Sequence, residues 1–413
     1  MRPNSDNKKR VCVITSSFPR SSSDYAGVFI YELLEELCKQ GYLFEVVTPR
    51  SNGSGFTEGE QNLGGNIRVN RIGYFFLRRW EKLCYGDGIL NNFQRHILAK
   101  IQLVFYISSA FVYSALALRR CNIIWSHWGL PSGLVGAVLR RFSGKKHILS
   151  LHSGWSFLLK KGAIGRQIAR FIINNSDRIT AVSNGIREEA LNIYSGALRR
   201  KLSERIFLLP MGISVKDFFE SSKIPRSYCR EKYHINSEKT VLFIGRLTAS
   251  KGAGYLIESL KDVSNLTLMI AGCGSQERIL RDMAEAAKCD IRFFGAVSGN
   301  KKLELFRLAD IVVIPSLGNE DGESEGLPVV MLEAMASSIP IVSTGLGGIK
   351  EVIKDSFNGL IAERRLAGSL KDKILLLLND PSLYRMISQN ALAESSRFDI
   401  ERLGRQIDVV IRN

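Results

Sequence analysis

Short runs of apolar and β-branched residues alternate with longer helical stretches along nearly the whole chain. In the first half, these runs lie at 11–16, 44–48, 67–71, 123–126, 147–151, 178–182 and 206–209. In the second half, they lie at 240–244, 266–271, 291–294, 311–315, 340–343 and 359–361. Continuous apolar strands separated by helices of about 10–15 residues are typical of parallel sheets covered by helices on both faces. The alternation therefore predicts an α/β fold.

The strand candidates form two series, each extending over about 200 residues, which is an ordinary size for one domain. The whole chain has 413 residues. We expect two doubly wound Rossmann-like domains, an N-terminal one over 1–215 and a C-terminal one over 216–390. The segment 391–413 is expected to form a helix that packs back on the N-terminal domain. The glycine-rich stretch 51–66 is expected to be a mobile loop of the first domain.

Basic residues are in excess, with 57 Lys and Arg against 40 Asp and Glu, which gives a net charge of +17. Residues 61–170 hold 17 basic residues and two acidic ones, Glu81 and Asp87, for a net charge of +15 in that stretch. This asymmetry predicts a negatively charged partner, which leaves nucleic acid, a membrane surface and a phosphorylated substrate as alternatives. The seven cysteines include no C-x-x-C pair, which favours a reducing compartment and a cytoplasmic protein.

Residues 101–118 contain no charged side chain, and they are flanked by Lys100 on one side and by Arg119 and Arg120 on the other. As a helix, the segment is about 27 Å long, at the lower limit for spanning a bilayer. Its polar residues share no face, so we expect a helix that is buried in the protein core. A helix that partly faces lipid and a helix that spans the membrane are the two alternatives.

The first strand is followed by a polar loop and then by Ala26 and Gly27, after which an apolar-periodic helix begins. A glycine at such a strand–loop–helix turn allows the backbone to approach a phosphate or a sugar, and the helix N-terminus adds positive potential. An ordinary βα turn shows the same pattern, so the glycine alone leaves both interpretations open.

The second domain begins with a buried strand that leads directly into Gly245 and Arg246, and Lys251 follows five residues later beside Gly252. The strand delivers Arg246 to the carboxyl edge of the sheet, where open α/β folds bind ligands. Two cations beside a glycine-flanked helix N-terminus are suited to a diphosphate, since arginine binds it bidentately and lysine acts as a point charge. Solvated surface cations at the same spacing are the alternative.

Two carboxylates, Glu325 and Glu333, flank the start of a helix whose first turn is occupied by Pro328. Glu325 lies just before this helix and Glu333 lies two turns inside it, so both can project toward one ligand that runs along the helix start. Carboxylates accept hydrogen bonds from sugar and ribose hydroxyls. The pair is therefore suited to the two ends of a sugar nucleotide.

The motif Glu-Gly-Leu-Pro-x-x-x-x-Glu-Ala from Glu325, together with Gly-Arg-Leu-x-x-x-Lys-Gly from Gly245, resembles retaining glycosyltransferase family 4. Further matches follow in order, among them Ser126-His127-Trp128-Gly129-Leu130-Pro131 and Leu151-His152-Ser153-Gly154. The resemblance implies a GT-B fold, in which two Rossmann-like domains face each other across a cleft. It also implies a metal-independent transfer of a sugar with retention of configuration. The acidic loop before Glu325 resembles bacterial members that build exopolysaccharide or lipopolysaccharide.

The resemblance also implies a catalytic set of four residues. Arg246 and Lys251 would neutralise the donor diphosphate as it leaves. Glu325 would contact the donor sugar, and His152 would lie near the reacting carbon, touching the donor sugar or the acceptor.

Further residues are implied in binding the donor. Gly27 would lie under the diphosphate, Glu333 would bind the ribose hydroxyls, and backbone groups around Val297 would face the base. With the residues that follow Glu325, the expected donor-binding set is Gly27, Arg246, Lys251, Val297, Glu325, Gly326, Leu327 and Glu333.

His127 follows a buried strand in the first domain and is expected on the acceptor side, with a packing corner beside Trp128 as the alternative. Neither His127 nor His152 has a cysteine or a second histidine at the spacing of metal ligands. We therefore expect no metal and no cofactor, with a nucleoside diphosphate sugar as substrate.

The sequence thus predicts a hexosyltransferase that acts on a hydroxyl of a glycan or a polyprenyl-diphosphate-linked acceptor in bacterial surface polysaccharide biosynthesis. A sugar epimerase or phosphorylase of the same fold is one alternative, and a protein that binds an anionic surface or nucleic acid is another. We expect no nucleic acid partner. The basic stretch 61–170 brackets the apolar helix and predicts an anionic membrane surface as a partner, with the protein peripheral on its cytoplasmic face.

Overall fold

The computed structural model describes residues 9–21, 24–50, 59–63, 65–318 and 326–413. The chain divides into two compact units, unit 1 with residues 1–21, 26–210 and 403–413, and unit 2 with residues 22–25 and 211–402. The division after residue 210 falls five residues before the expected domain end at 215.

The described strands of unit 1 are β1 Arg10–Ile14, β2 Leu43–Pro49, β3 Gly59–Leu63, β4 Ile67–Ile72, β5 Ile123–His127, β6 Lys146–Leu151, β7 Arg178–Ala181 and β8 Ile206–Leu208. They form one sheet in the order β3-β4-β2-β1-β5-β6-β7-β8, in which β3 is antiparallel to β4 and all other neighbours are parallel. The seven strands predicted in the first half are confirmed to within two residues. They could be predicted because strands buried on both faces have continuous apolar sequences.

The prediction of a loop over 51–66 is wrong for part of this stretch, because Gly59–Leu63 forms the edge strand β3. Its sequence, Gly-Glu-Gln-Asn-Leu, has little of the apolar content on which the other predictions rest. An edge strand needs only one neighbour for its backbone hydrogen bonds, so polar residues are tolerated there. Residues 51–58 and 64 lie outside the described part of the chain.

The helices of unit 1 before its last segment are α1 Val28–Lys39, α2 Ile89–Arg95, α3 Ile97–Leu118, α4 Leu134–Ser143, α5 Trp155–Leu159, α6 Gly162–Asn174, α7 Asn184–Leu191 and α8 Gly196–Ser203. Helix α3 contains the apolar segment 101–118. The prediction that this segment is buried is wrong for one face of the helix. Ala99, Tyr106 and Ala110 are buried in the core, whereas Ile101 and Val104 on the opposite face are exposed. A helix that is apolar all round carries no sequence signal for the face that packs.

The described strands of unit 2 are β9 Lys239–Ile244, β10 Leu266–Ala271, β11 Asp290–Gly295, β12 Ile311–Ile314, β13 Ile341–Ser343 and β14 Leu360–Ile361. They form a parallel sheet in the order β11-β10-β9-β12-β13-β14. All six strands predicted in the second half are confirmed. The helices of this unit are α9 Val215–Ser221, α10 Arg226–Lys232, α11 Ala253–Leu260, α12 Glu277–Glu285, α13 Gly299–Leu308, α14 Val329–Ala336, α15 Ile349–Val352, α16 Ala367–Asn379 and α17 Pro381–Ser395.

The last helix, α18 Ile400–Arg412, ends in unit 1. Leu403 and Ile407 join the apolar core of that unit, which also contains residues of α1 and β1. The Tyr42 hydroxyl donates a hydrogen bond of 2.6 Å to the Asp408 carboxylate, and Lys146 donates to the carbonyl of Ile411 at 2.8 Å. Within the segment 391–413, residues 403–413 belong to unit 1. The first residues of the segment continue α17 and belong to unit 2.

Both units are doubly wound α/β sheets, as expected. In unit 1, the strand order reverses between the neighbours β1 and β5, and in unit 2 it reverses between the neighbours β9 and β12. In open α/β sheets, ligands bind outside the carboxyl ends of the strands at such a switch point. Each unit therefore presents one candidate binding edge.

Candidate functional site

The loops after β9 and β12 meet at the switch point of unit 2. The backbone N–H of Leu317, after β12, donates to the carbonyl oxygen of Ser250 at 2.8 Å. Arg246 lies two residues after the end of β9, and Lys251 lies in a short 3₁₀ turn, Ala249–Lys251. Both side chains belong to half-buried residues. The structure therefore brings the two predicted diphosphate-binding cations to the same ligand-binding edge.

Gly252 makes this close approach of the two loops possible. Its φ of 75° lies in the left-handed region, and a Cβ atom there would overlap the carbonyl oxygen of Pro315. Only glycine satisfies both the backbone conformation and the available space. Lys251 is thereby held directly before the N-terminus of α11, where the helix dipole adds to its positive potential.

Glu333 is the buried carboxylate of this edge. Its side chain is only 7% exposed, and it accepts a hydrogen bond of 2.6 Å from the Nζ atom of Lys302, whose side chain is 19% exposed. The ion pair joins α13, which follows β11, to α14, which follows β12. The sequence analysis missed Lys302, because its only local signal is a place in the first turn of the helix after Val297.

The remaining predicted donor residues lie on segments that follow β11 and β12. Val297 is buried after β11, and Gly326 and Leu327 are buried directly before α14. Glu325 lies outside the described residues, so its role remains a prediction from the sequence. The described residues of unit 2 that the sequence predicts for donor binding thus all lie on segments that follow the carboxyl ends of β9, β11 or β12.

His127 and His152 lie together at the binding edge of unit 1. His127 is the last residue of β5, and His152 directly follows the neighbouring strand β6. Their imidazoles are joined by a hydrogen bond of 2.9 Å between Nδ1 of His127 and Nε2 of His152. The two histidines, which are separate candidates in the sequence, therefore form one hydrogen-bonded pair in the structure.

Aromatic rings enclose the histidine pair. The His127 ring lies 4.9 Å from Trp125, and the His152 ring lies 4.9 Å from Trp128 and 5.1 Å from Phe29, measured between centroids. Burial lowers the pKa of His152 to about 3. Burial and the neighbouring His152 ring hold the pKa of His127 well below its usual value of 6.5. Both imidazoles are therefore neutral at neutral pH.

The outer nitrogen of each imidazole is buried, and neither has a hydrogen-bond partner among the described residues. These atoms are Nε2 of His127 and Nδ1 of His152. Because a neutral imidazole has one N–H and one lone pair, the hydrogen bond between the rings uses one of each. One outer nitrogen must then be a donor and the other an acceptor. Buried polar atoms are normally paired, so this pair is suited to a ligand hydroxyl.

Gly27 starts α1 beside the same edge. Its φ is 71°, and a Cβ atom there would overlap the carbonyl group of Ser17 in the loop after β1. Its own carbonyl oxygen accepts from the N–H of Ile30 at 3.0 Å, which opens the helix. Two residues later, Phe29 contacts His152, so the glycine turn and the histidine pair belong to one surface of unit 1.

No group of three or more His, Cys, Asp or Glu side chains within the described residues could hold a metal ion. At the binding edge of unit 2, Arg246 and Lys251 carry positive charge. The charged groups of the described residues at this edge are suited to an anionic ligand that carries hydroxyl groups.

Acid is expected to destabilise unit 1, since His147 is buried as well as His127 and His152. Burial lowers the pKa of His147 to about 4, and its ring is hydrogen-bonded to Ser126 and to the Asn175 carbonyl. In the unfolded chain, these rings take up protons near pH 6.5. Keeping these rings neutral in the folded state therefore costs no stability above that pH. As the pH falls from 7 to 5, the free energy of unfolding decreases by about 2 kcal/mol for each histidine.

Urea unfolding at pH 7.5 and pH 5.0 measures this loss. His152→Phe is expected to reduce the difference in unfolding free energy between the two pH values by about 2 kcal/mol. The matched control His96→Gln changes an exposed histidine and should leave the difference unchanged. An unaltered pH dependence in His152→Phe would show that this ring is not held neutral.

Two doubly wound units, one with a cationic binding edge and the other with a neutral imidazole pair, define the chain as a protein of the GT-B class. Sucrose-phosphate synthase of Thermosynechococcus elongatus shares this fold with a TM-score of 0.76 and 19% identity, over 98% of each chain. Anabaena HepE, solved in complex with UDP-glucose, gives a TM-score of 0.72 and 16% identity over 98% of this chain and 99% of that one.

The family follows from sequence matches over both units. The family model described as glycosyl transferases group 1 matches residues 228–394, and that of glycosyltransferase family 4 matches residues 26–216. An uncharacterized glycosyltransferase of Methanocaldococcus jannaschii is 30% identical over 291 residues, 67% of this chain and 71% of that protein. The chain belongs to glycosyltransferase family 4, which confirms the resemblance seen in its motifs.

A second relative has a more specific name. The GDP-mannose-dependent alpha-(1-6)-phosphatidylinositol monomannoside mannosyltransferase of Mycobacterium tuberculosis is 27% identical over 275 residues. The match covers 64% of this chain and 69% of the mycobacterial protein. The chain is thus a glycosyltransferase that resembles an enzyme with a nucleotide-sugar donor.

Proposed function

We propose that this chain transfers a hexose, with retention of configuration, from a nucleoside diphosphate sugar to a hydroxyl of a glycan or lipid-linked acceptor. The acceptor class we propose is a polyprenyl-diphosphate-linked glycan of bacterial surface polysaccharide biosynthesis, on the cytoplasmic side of the membrane. The observation that carries the proposal is the binding edge of unit 2, where Arg246 and Lys251 follow β9 and Glu333 lies on α14.

The donor class follows from the chemistry of this edge. Two cations beside the N-terminus of α11 match a diphosphate, and the Glu333 carboxylate can accept hydrogen bonds from ribose hydroxyls. Two similar proteins support the same class by name, one GDP-mannose-dependent and one solved with UDP-glucose. The identity of the base and the sugar stays open between such donors.

The chemical step creates negative charge on the departing diphosphate and positive charge on the anomeric carbon. Lys251 and Arg246 would stabilise the first, because preorganised cations lower the energy of a transition state in which charge develops beside them. This makes a metal-independent reaction our proposal. Glu325, from the sequence motif, would contact the donor sugar.

The histidine pair of unit 1 would position hydroxyl groups rather than carry charge. His152, neutral and partnered by His127, offers its outer Nδ1 atom to a hydroxyl of the donor sugar or the acceptor. The hydrogen bond between the rings couples the tautomer of His152 to that of His127, so we propose His127 as a positioning residue on the acceptor side. Gly27, whose turn leaves no room for a Cβ atom, would let the backbone at the start of α1 approach the diphosphate.

The proposal is tested by incubating the purified full chain with GDP-mannose, UDP-glucose and related donors, with a detergent extract of bacterial lipids as acceptor. We expect a lipid-linked product with one added hexose, detected by mass spectrometry. Nuclear magnetic resonance of that product should show the anomeric configuration of the donor, and EDTA should leave the rate unchanged.

Other outcomes would identify the alternatives. A donor that is isomerised without any acceptor would indicate an epimerase, and a sugar phosphate formed from a glycan and inorganic phosphate would indicate a phosphorylase. An inverted anomeric centre, or a rate abolished by EDTA, would contradict the proposed mechanism.

A further inference from the structure

Helix α3 exposes an apolar stripe along its whole length. Ile97 and Val104 are 79% and 66% exposed, and the stripe also contains exposed residues farther along the helix, namely Ile101, Phe105, Val112 and Leu116. Their intervals of four, three, one, seven and four residues place them on one broad face of an α-helix, with the exposed Ser108 between Phe105 and Val112. Among the described residues, α3 alone has the length and apolarity of a membrane-crossing helix.

The segment before α2 extends this stripe sideways. The ring of Phe75 packs edge-on against Phe105 of α3 and stacks on Phe76, which is 75% exposed. The carbonyl oxygen of the exposed Trp80 accepts a hydrogen bond of 2.5 Å from the side-chain amide of the buried Gln102. Phe75, Phe76 and Trp80 therefore adjoin α3, and we call these three residues together with the apolar stripe the α3 surface.

The opposite face of α3 is fixed in the core of unit 1. The Tyr106 hydroxyl reaches the carbonyl oxygen of Thr15 at 3.4 Å, and the Cys12 thiol lies 3.9 Å from the carbonyl oxygen of Ser114. Both partners belong to β1 and its following loop, in the middle of the sheet. A helix held in this way can lie along a bilayer surface, but it cannot cross the bilayer without giving up these contacts.

Positive charge frames the α3 surface. Arg79, Lys100 and Arg119 are exposed at its side and near its two ends. The two acidic residues of the stretch 61–170 are engaged elsewhere. Glu81 is buried, with its carboxylate 3.1 Å from the Nε atom of Arg50, and Asp87 is 2.6 Å from Arg95.

We infer that the α3 surface docks onto a bilayer that contains anionic lipid, with the apolar stripe in the headgroup–acyl boundary and the flanking cations on lipid phosphates. Apolar burial and attraction to anionic headgroups together are the two contributions that hold an interfacial helix on a membrane. Charge argues for lipid over a second copy of this chain. A two-fold pairing of antiparallel α3 helices would bring Lys100 of one copy near Arg119 of the other, and like charges repel.

Vesicle co-sedimentation of the full chain tests the docking without any donor or acceptor, so its result does not depend on the proposed reaction. We expect binding to vesicles of phosphatidylcholine mixed with phosphatidylglycerol, little binding to phosphatidylcholine alone, and weaker binding at high salt. Val104→Asp should lower the partition coefficient about tenfold or more. Lys100→Glu should lower it about thirtyfold, because it exchanges an attractive charge for a repulsive one.

Two control variants match these changes in unit 2. Ile279→Asp places the same charge on an exposed apolar helix position, and Arg364→Glu reverses an exposed cation. Both should bind vesicles as the wild type does. Equal losses in the controls, or no preference for anionic vesicles, would overturn the inference.

Two further outcomes would also overturn it. Resistance of the membrane-bound chain to alkaline carbonate extraction would indicate a spanning helix. A dimer in light scattering that Val104→Asp dissociates would indicate that the α3 surface is covered by a second copy.

Discussion

Replacing Lys251 with methionine is expected to lower kcat for glycosyl transfer by about a thousandfold, with a smaller change in KM for the donor. Methionine keeps most of the length of the side chain but removes its charge. The lysine is held before α11 by Gly252, whose backbone leaves room for the loop after β12. An interaction that strengthens as the diphosphate departs is lost mainly from kcat.

The matched control is Lys288→Met, which removes an exposed lysine of the same unit. Its turnover should equal that of the wild type. Both variants should unfold at the wild-type urea concentration, since substitutions on half-buried or exposed polar side chains usually alter stability by less than about 1 kcal/mol. Wild-type turnover in Lys251→Met would remove the central argument for a diphosphate donor.

The position of the binding edges could be predicted from the sequence, because it depends on strand order and strand ends alone. Arg246 directly follows an apolar run, and His152 does the same in the first half of the chain. In a parallel sheet, residues directly after buried strands must reach the carboxyl edge. The family motifs then distinguished these residues from other cations and histidines of the chain.

The partners of these residues could not be predicted, because they depend on how neighbouring strands and helices pack. The bond between His127 and His152 joins residues 25 positions apart, and the ion pair of Lys302 with Glu333 joins residues 31 positions apart. Neither spacing is a local signal. Both contacts arise because β5 and β6 are neighbours in unit 1, and because α13 and α14 follow strands of one sheet in unit 2.

The same reasoning explains the two errors in the fold. Strand β3 is polar, because an edge position demands no apolar burial. Helix α3 is apolar on both faces, but only one face packs in the core of unit 1. A sequence reports apolar content, whereas the surface that an apolar face contacts depends on the rest of the protein. In α3, the second apolar face is exposed and forms the α3 surface, which we infer to dock onto a membrane.

Replacing Glu333 with glutamine is expected to weaken donor binding by about 10- to 100-fold, because a hydrogen bond to a charged group contributes about 1.5–3 kcal/mol. Glutamine preserves the shape of the side chain, so the loss would report the carboxylate itself. Isothermal titration with the donor that is active in transfer measures the change. The variant also removes the ionic partner of Lys302 and should destabilise unit 2 by about 1–3 kcal/mol.

Lys302→Met supplies the other half of a double-mutant cycle and separates binding from stability. Alone, it leaves the Glu333 carboxylate buried without its ammonium partner, and it should cost a similar amount of stability. The double variant Glu333→Gln with Lys302→Met contains neither charge, so it should recover most of the stability lost in either single variant. It should not recover donor affinity, because the carboxylate that we propose to bind the ribose is still absent. Recovery of donor affinity in the double variant would mean that Glu333 acts only by holding α13 to α14, and that the ribose is bound elsewhere.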